Sequence, residues 1–381
     1  MGLTPSFRVV ANNRDITSTI AERFRSLRLS DETGTTADTI EIALADNVPE
    51  KPIKMPPTGA ELEVSIGYDG SVRRMGLFIC DEIELSGAPG GMVLRGRAAP
   101  FESSTGGRAG LQSQKSRSWK AGTTIGSMVQ RIGEEHGLTA KVSESLAKIA
   151  LPHTDQAAES DMNLLHRIAA RHDAIAKPAG GALLFVTRGD ARSASGAALP
   201  RVTFTPKDGS DFRVLVATRD SPGTVIAFYR SLRKSKRHQI TLGEGDPVRR
   251  LRLQYKSRES ALAAAAAELR RRARRERTLT YTFPGRPEVT AETIAVMRGF
   301  REHVDGEWLV THVEHYIGPQ GYTCSIEAEQ SNESEAVSRV DGAPMSDIVQ
   351  PSQLMKDDDD DDDDEDEDDD EDEDEDEDED D

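Results

Sequence analysis

The sequence predicts an α+β protein in which two β-rich regions flank a helical segment and a disordered acidic tail ends the chain. Three observations predict this class. Apolar and polar residues alternate within residues 6–100 and again within 182–335, the period of half-buried strands. Between these regions, apolar residues recur three and four apart, as on amphipathic helices. The last 25 residues, Asp357–Asp381, are all Asp or Glu, so no apolar burial offsets their self-repulsion.

The first region, 1–100, opens with Phe7-Arg8-Val9-Val10. Thr17–Phe24 reads as a short helix or turn, and Ser30–Gly34 as a loop. Glu61–Ile66 alternates strictly and predicts a strand. Met75–Cys80 begins a second long strand that ends near Leu85. Gly87-Ala88-Pro89-Gly90-Gly91 supplies a turn, and Met92–Arg97 returns from it.

The second region, 101–181, changes character. Ser103–Lys120 is polar, Gly-rich and basic, and reads as a mobile loop. Thr123 or Thr124 then caps a helix that carries Ile125, Met128 or Val129, and Ile132, and ends at Gly137. Ser143–Ile149 reads as a further helical turn. His153 begins a polar turn that leads into the strongest helical signal of the chain. Ser160 or Asp161 caps this helix, and Glu159 and Asp161 suit its positive end. Leu164, Leu165, Ile168 and Ala169 form its apolar face, with Arg167 and Arg171 on the solvent side. It stops before Pro178.

The third region, 182–335, returns to strands at Leu183–Thr187, Arg213–Ala217, Thr224–Tyr229 and Thr278–Phe283. In the last of these, Leu279, Tyr281 and Phe283 share a face. One helix is inserted at 257–275, from Ser257 to Arg275, with an Ala-rich body, Glu259 early and arginines late. Trp308–His315 and Tyr322–Glu327 form a closing hairpin around Gly318-Pro319-Gln320-Gly321. Residues 336–356 read as linker, and 357–381 as the disordered tail.

Composition narrows the functional classes. A chain of 381 residues allows two or three domains, and 36% hydrophobic with 5% aromatic residues suits small β cores better than one large enzyme core. Cys80 and Cys324 are the only cysteines, so no disulfide framework is implied and a reducing cytoplasm suits the chain. The N-terminus lacks a basic-then-apolar export signal, and no window approaches the roughly 18 apolar residues of a membrane span. We therefore expect a soluble chain without stable membrane insertion. The net charge of −20 hides an asymmetry: 25 of the 68 acidic residues lie in the tail, which leaves 43 against 48 Lys and Arg. The rest of the chain is mildly basic.

Motifs for catalysis are lacking. There is no G-x-S-x-G or HExxH, and Gly243-Glu244-Gly245-Asp246 reads as a turn because no strand–Gly–helix arrangement with Lys follows. His312 and His315 point to opposite faces of a strand, so they read as structural. The basic run Arg230–His238 offers either a nucleic-acid patch or a charge-protected strand edge. Aromatic interleaving is limited to Tyr229, which argues against a stacking platform. No catalytic, cofactor-binding or metal residues are assigned, and no cofactor is expected.

The order of several weak motifs says more. Gln156-x-x-Glu159-Ser160-Asp161 followed by Leu164-Leu165-x-Arg167-Ile168-Ala169 resembles the signature helix of the phage late-control D proteins. Asn13-x-Asp15-Ile16-Thr17, Asp38-x-Ile40-x-Ile42-x-Leu44-x-Asp46 and Pro57-x-Gly59-Ala60-x-Leu62-x-Val64 resemble their opening strands. Ser116-x-Ser118-Trp119 and Gly306-x-Trp308-Leu309-Val310 resemble later landmarks in the same order. That family comprises tail hubs of contractile phages, related to the VgrG hubs of type VI secretion. The resemblance implies two tube-like antiparallel β-barrel domains per chain, 1–100 and 182–335, braced by 101–181. It implies a homotrimer whose six barrels match a sixfold tail tube on one side and a threefold central spike on the other. Other baseplate or tape-measure proteins would be neighbours, and DNA would pass only in transit through the lumen. The site of action would be the virion baseplate, assembled in the bacterial host cytoplasm. Two other readings stay open: a VgrG-like secretion hub and a nucleic-acid-binding late-gene regulator. The acidic tail departs from the family pattern.

Overall fold

The computed structural model describes residues 3–34, 37–47, 52–87, 89–98, 111, 113–179, 181–188, 201–217, 223–230, 237–331 and 345–349. In chain order, the first elements are β1 (Pro5–Ala11), β2 (Arg14–Asp15), α1 (Thr17–Ala21), β3 (Phe24–Glu32), β4 (Thr39–Ala45), β5 (Glu61–Tyr68), β6 (Ser71–Ser86) and β7 (Gly91–Ala98). Then come β8 (Gln114–Trp119), α2 (Ile125–Glu135), β9 (Thr139–Val142), α3 (Glu144–Ala147), β10 (Thr154–Ser160), α4 (Asp161–Arg171), β11 (Ala174–Ala179) and β12 (Ala182–Thr187). The rest are β13 (Arg201–Phe204), β14 (Asp211–Val216), β15 (Thr224–Arg230), β16 (Arg237–Gly243), β17 (Val248–Tyr255), α5 (Arg258–Arg275), β18 (Arg277–Pro284), β19 (Ile294–Met297), β20 (Gly306–Gly318), β21 (Gly321–Gln330) and β22 (Met345–Val349).

The protein is thus mostly β, with five helices among the described residues. A 13-stranded sheet runs β14-β18-β21-β20-β3-β4-β7-β6-β5-β1-β2, with β19 and β13 branching from β20. The seam between the first and last β regions is the antiparallel pair β3–β20, from Leu27↔Ile317 to Glu32↔His312. β20 is long enough to pair β19 with its first residues and β3 with its later ones, while β21 lies along its other edge. Both regions consequently share one core: Leu27, Ile42, Val64 and Phe78 pack in the same cluster as Phe204, Tyr281, Phe283, Val313 and Ile326. The end strands β14 and β2 are not neighbours, so no pairing among the described residues closes this path into a barrel.

The middle region has its own core. Ile125, Met128, Val129 and Ile132 of α2 pack with Leu164, Leu165 and Ile168 of α4 and with Leu183 and Phe185 of β12. β12 pairs with β11 and, in parallel, with β9. A third core lies between α5 and the sheet β17-β15-β16-β22. There Ala261, Ala265, Leu269 and Ala273 cover Val225, Ala227, Ile240 and Leu242. Alanines at this helical spacing allow close approach to the strands.

Local signals account for the helix starts. The Thr124 hydroxyl accepts from the Ser127 N–H, and the Ser160 hydroxyl from the Asn163 N–H. Ser257 and Ser260 form a reciprocal capping box at α5.

Three expectations need correction. The mobile loop expected over Ser103–Lys120 contains strand β8, paired with β10; residues 101–110 lie outside the described residues. The polar turn expected after His153 is β10 itself, bulged between Gln156 and Glu159. Both strands escape apolar alternation because their inward positions are largely polar, as at Gln156 and Arg117. The expected linker 336–356 contains β22, which pairs antiparallel with β16 along an edge that β15 leaves open. The acidic tail lies outside the described residues.

A candidate assembly edge and its buried ionic supports

The signature helix is held by a buried ionic cluster. Asp161 opens α4 and is fully buried. One of its carboxylate oxygens accepts from Arg117 Nη2 at 2.6 Å and Gln156 Nε2 at 2.8 Å. The other accepts from Lys115 Nζ at 2.6 Å and lies 2.8 Å from His136 Nε2. Glu135 takes Arg117 at 2.6 Å and Lys115 at 3.0 Å. Burial pushes the Asp161 carboxyl up, but hydrogen bonds from His136, Lys115 and Gln156, with the Arg117 charge, outweigh it and hold the group at about 2. Each letter of the sequence motif has a task. Gln156 orients Asp161 and Arg117, Glu159 binds Arg167 at 2.7 Å, Ser160 caps the helix, and Asp161 gathers the cations.

Glu135, His136 and Asp161 place three ligand atoms within 4.8 Å of one another, close enough to hold a metal. Their charge is already met by Lys115 and Arg117, with the lysine ammonium in contact with both carboxylates. A divalent cation would have to displace these bases, so the cluster fits a structural lock better than a metal centre.

Two further locks join the middle region to the large sheet. Arg274 of α5 is fully buried; its guanidinium donates to Asp173, just beyond α4, and to Glu329 of β21 at 3.0 Å. Thus one side chain ties the four-stranded sheet, the middle region and the large sheet together. Lys177 of β11 reaches Asp38 at 2.6 Å and Asp31 at 3.6 Å. Burial and the Asp31 charge push Asp38 up to about 6, against the Lys177 ammonium.

The two histidines near the end of the chain stand apart, as their spacing predicts. His312 meets Glu32 across the seam at 2.9 Å. His315 is buried, with Nδ1 2.8 Å from the Tyr322 hydroxyl and 3.1 Å from Cys324 Sγ. Burial lowers His315 to about 4 and raises the Cys324 thiol to about 12, so this triplet is neutral near pH 7.

The surface differs in kind. β14 pairs only with β18, so its outer edge carries unpaired backbone groups among the described residues. Phe212, Leu215 and Val216 on this strand are 40%, 48% and 50% exposed. A long, apolar, open edge is a template for pairing with another chain. Beside it lies an open cavity of about 620 Å³ lined by Leu215, Ala217, Thr278, Thr280, Glu32 and His312. The Arg213–Ala217 strand was legible in the sequence. Its edge position was not, because β18, its one partner among the described residues, is some 65 residues away in the chain, Val214 facing Leu279. Of the basic run, Arg230 ends β15 and Arg237 begins β16, the two facing each other, and Arg237 stacks on the Phe228 ring at 3.9 Å. Residues 231–236 lie outside the described residues.

Comparison with known proteins places this architecture. The chain is 32% identical over 371 residues to a probable baseplate hub protein of Escherichia phage 186, covering 86% of this chain and 93% of the relative. It is 31% identical over 370 residues to the probable baseplate hub protein of Escherichia phage P2, with the same coverage. Its fold is similar to that of a 43 kDa tail protein of prophage MuSo2 from Shewanella oneidensis, with a TM-score of 0.65 at 14% identity over 86% of this chain and 98% of that one. The family model of the phage tail baseplate hub matches residues 55–321. This β scaffold, stiffened by buried ion pairs and ending in an open apolar edge, is that of a member of the phage tail baseplate hub family, whose proteins are structural parts of the phage tail and not enzymes.

Proposed function

We propose that this hub acts as a homotrimeric, pseudo-sixfold adaptor between the tail tube and a central spike. The observation that carries the proposal is the open β14 edge, with Phe212, Leu215 and Val216 exposed. In a ring, that edge pairs with a strand of the neighbouring subunit, which hides its apolar side chains and satisfies its backbone groups. The β regions 1–100 and 182–335 then serve as two tube-like units per chain, six per ring, closed by contacts between subunits. The middle region braces them from outside through the Arg274 and Lys177 locks. One face of the ring takes the tail tube and the other the spike, with further baseplate or tape-measure proteins around it and DNA crossing the lumen without tight binding. Assembly takes place in the host cytoplasm.

The test is the mass of the purified protein, alone and with its spike. Phe212→Lys with Leu215→Lys is expected to leave a folded monomer. A trimer that survives both substitutions overturns β14 as the joining edge.

A further inference from the structure

The acidic tail has no place in the hub reading, yet the fold fixes where it starts. β22 runs antiparallel to β16, with Met345 opposite Leu242 and Val349 opposite His238. The chain therefore leaves the sheet at the end where β16 begins. Seven residues, 350–356, separate Val349 from Asp357. Extended, they reach about 25 Å, and the 25 acidic residues beyond them roughly 80 Å.

The outer face of this sheet is basic, from Arg230 and Arg237 at that end to Arg250 beside Ile226, four residues along β15 from Arg230. Val225, Ala227, Tyr229 and Leu251 face the α5 core, so alternation turns Phe228, Arg230 and Arg252 to the opposite face. Arg237 lies opposite Arg230 and over Phe228, and Arg250 lies opposite Ile226 on the same face. Arg230, Arg237, Arg250 and Arg252 are all exposed, and none forms an ion pair among the described residues.

We propose that the tail 357–381 folds back over this arginine face of its own chain and keeps external polyanions off it. Each exposed pair is weak and salt-sensitive. Tethering through a seven-residue connection raises the local concentration of carboxylate to about the millimolar range, and many registers of a uniform polyanion satisfy the same arginines. An outside polyanion must then compete with a tethered one. The uniform Asp/Glu composition suits this task, since it needs charge density and no fixed register.

The sign of the salt response separates docking from a free tail. A free polyanion contracts as salt screens its self-repulsion, whereas a docked one is released and moves away. The full chain is to carry one dye at Gln254→Cys, on the arginine face, and one at a cysteine appended after Asp381. The native Cys80 and Cys324 are buried. Labelled chains are diluted about twentyfold into unlabelled ones so that energy transfer reports only within a chain, a dilution chosen against oligomer exchange. Transfer is expected to be high at low salt and to fall at about 1 M salt, where screening is nearly complete. Arg237→Gln with Arg250→Gln and Arg252→Gln is expected to abolish the low-salt transfer. Truncation after Lys356 is expected to tighten binding of a duplex DNA 20-mer about tenfold or more at low salt, and the same three substitutions to remove that gain. Transfer that rises with salt, or is indifferent to the three substitutions, overturns the proposal. So does a truncated chain that binds the duplex no more tightly than the full one.

Discussion

The outermost strands of the two main sheets meet solvent in opposite ways. β14 ends the large sheet with Phe212, Leu215 and Val216 exposed beside Asp211 and Arg213, charges of opposite sign. β17 ends the four-stranded sheet with Arg249, Arg250 and Arg252 among Val248 and Leu253. Charge on an edge strand deters pairing, and an apolar open edge invites it. The chain thus guards one edge and leaves the other available, and the locks behind both sheets keep the two edges in a fixed relation.

The most severe way to break this comparison is to cut the shared support. Arg274→Ala leaves Asp173 and Glu329 buried beside each other without their common cation. We expect a loss of about 3–5 kcal/mol, read from the urea midpoint. Leu165→Asp places a charge in the packed face of α4, where Leu165 is 1% exposed, and is expected to unfold the subunit or stop assembly. A soluble, normally assembling Leu165→Asp protein would show that this helix does not hold the frame.

Attacking only the apolar edge should separate folding from association. Phe212→Lys with Leu215→Lys is expected to weaken self-association about a hundredfold, near 2.7 kcal/mol, with a much smaller loss of monomer stability, about 1 kcal/mol, from the Phe212 ring contact with Phe300. A matching drop in melting temperature would mean that β14 is needed inside the subunit.

Acid tests the seam that joins the regions. The buried His315 is held neutral down to about pH 4. The unfolded chain takes up this proton nearer pH 6.5, so the contribution is complete above that value and is lost as pH falls through 4. Asp161, held at about 2, adds a second decline on acidification between roughly pH 4 and 2. His315→Gln should flatten the first window in an acid-unfolding titration and leave the second in place.

The smallest effect belongs to the guarded edge. Arg250→Gln with Arg252→Gln is expected to change folding stability by less than about 0.5 kcal/mol and to leave the oligomer intact, because both side chains are exposed. Loss of the oligomer in this variant would reverse the assignment of the two edges.

These edges also mark where the sequence could be read. Local signals were explicit: Thr124, Ser160 and Ser257 announce their helices, and Pro319-Gln320 joins the closing hairpin of β20 and β21. The strands β8 and β10 were hidden because Lys115, Arg117 and Gln156 face inward toward Asp161, which removes the apolar alternation. The seam was hidden for a different reason. His312 meets Glu32 across 280 residues, and no local pattern specifies a partner that distant. The family resemblance supplied the function, and the ionic cluster explains why its motif reads Gln156, Glu159, Ser160, Asp161 in that order.

The central claim is that the β14 edge joins copies of this chain into a trimer. The most direct test is light-scattering mass in the presence of the spike protein, comparing the native chain with the Phe212→Lys, Leu215→Lys variant. Three hub subunits per complex are expected for the native chain and a monomeric hub for the variant. A native hub that stays monomeric with its spike, or a variant that still assembles in threes, would contradict it.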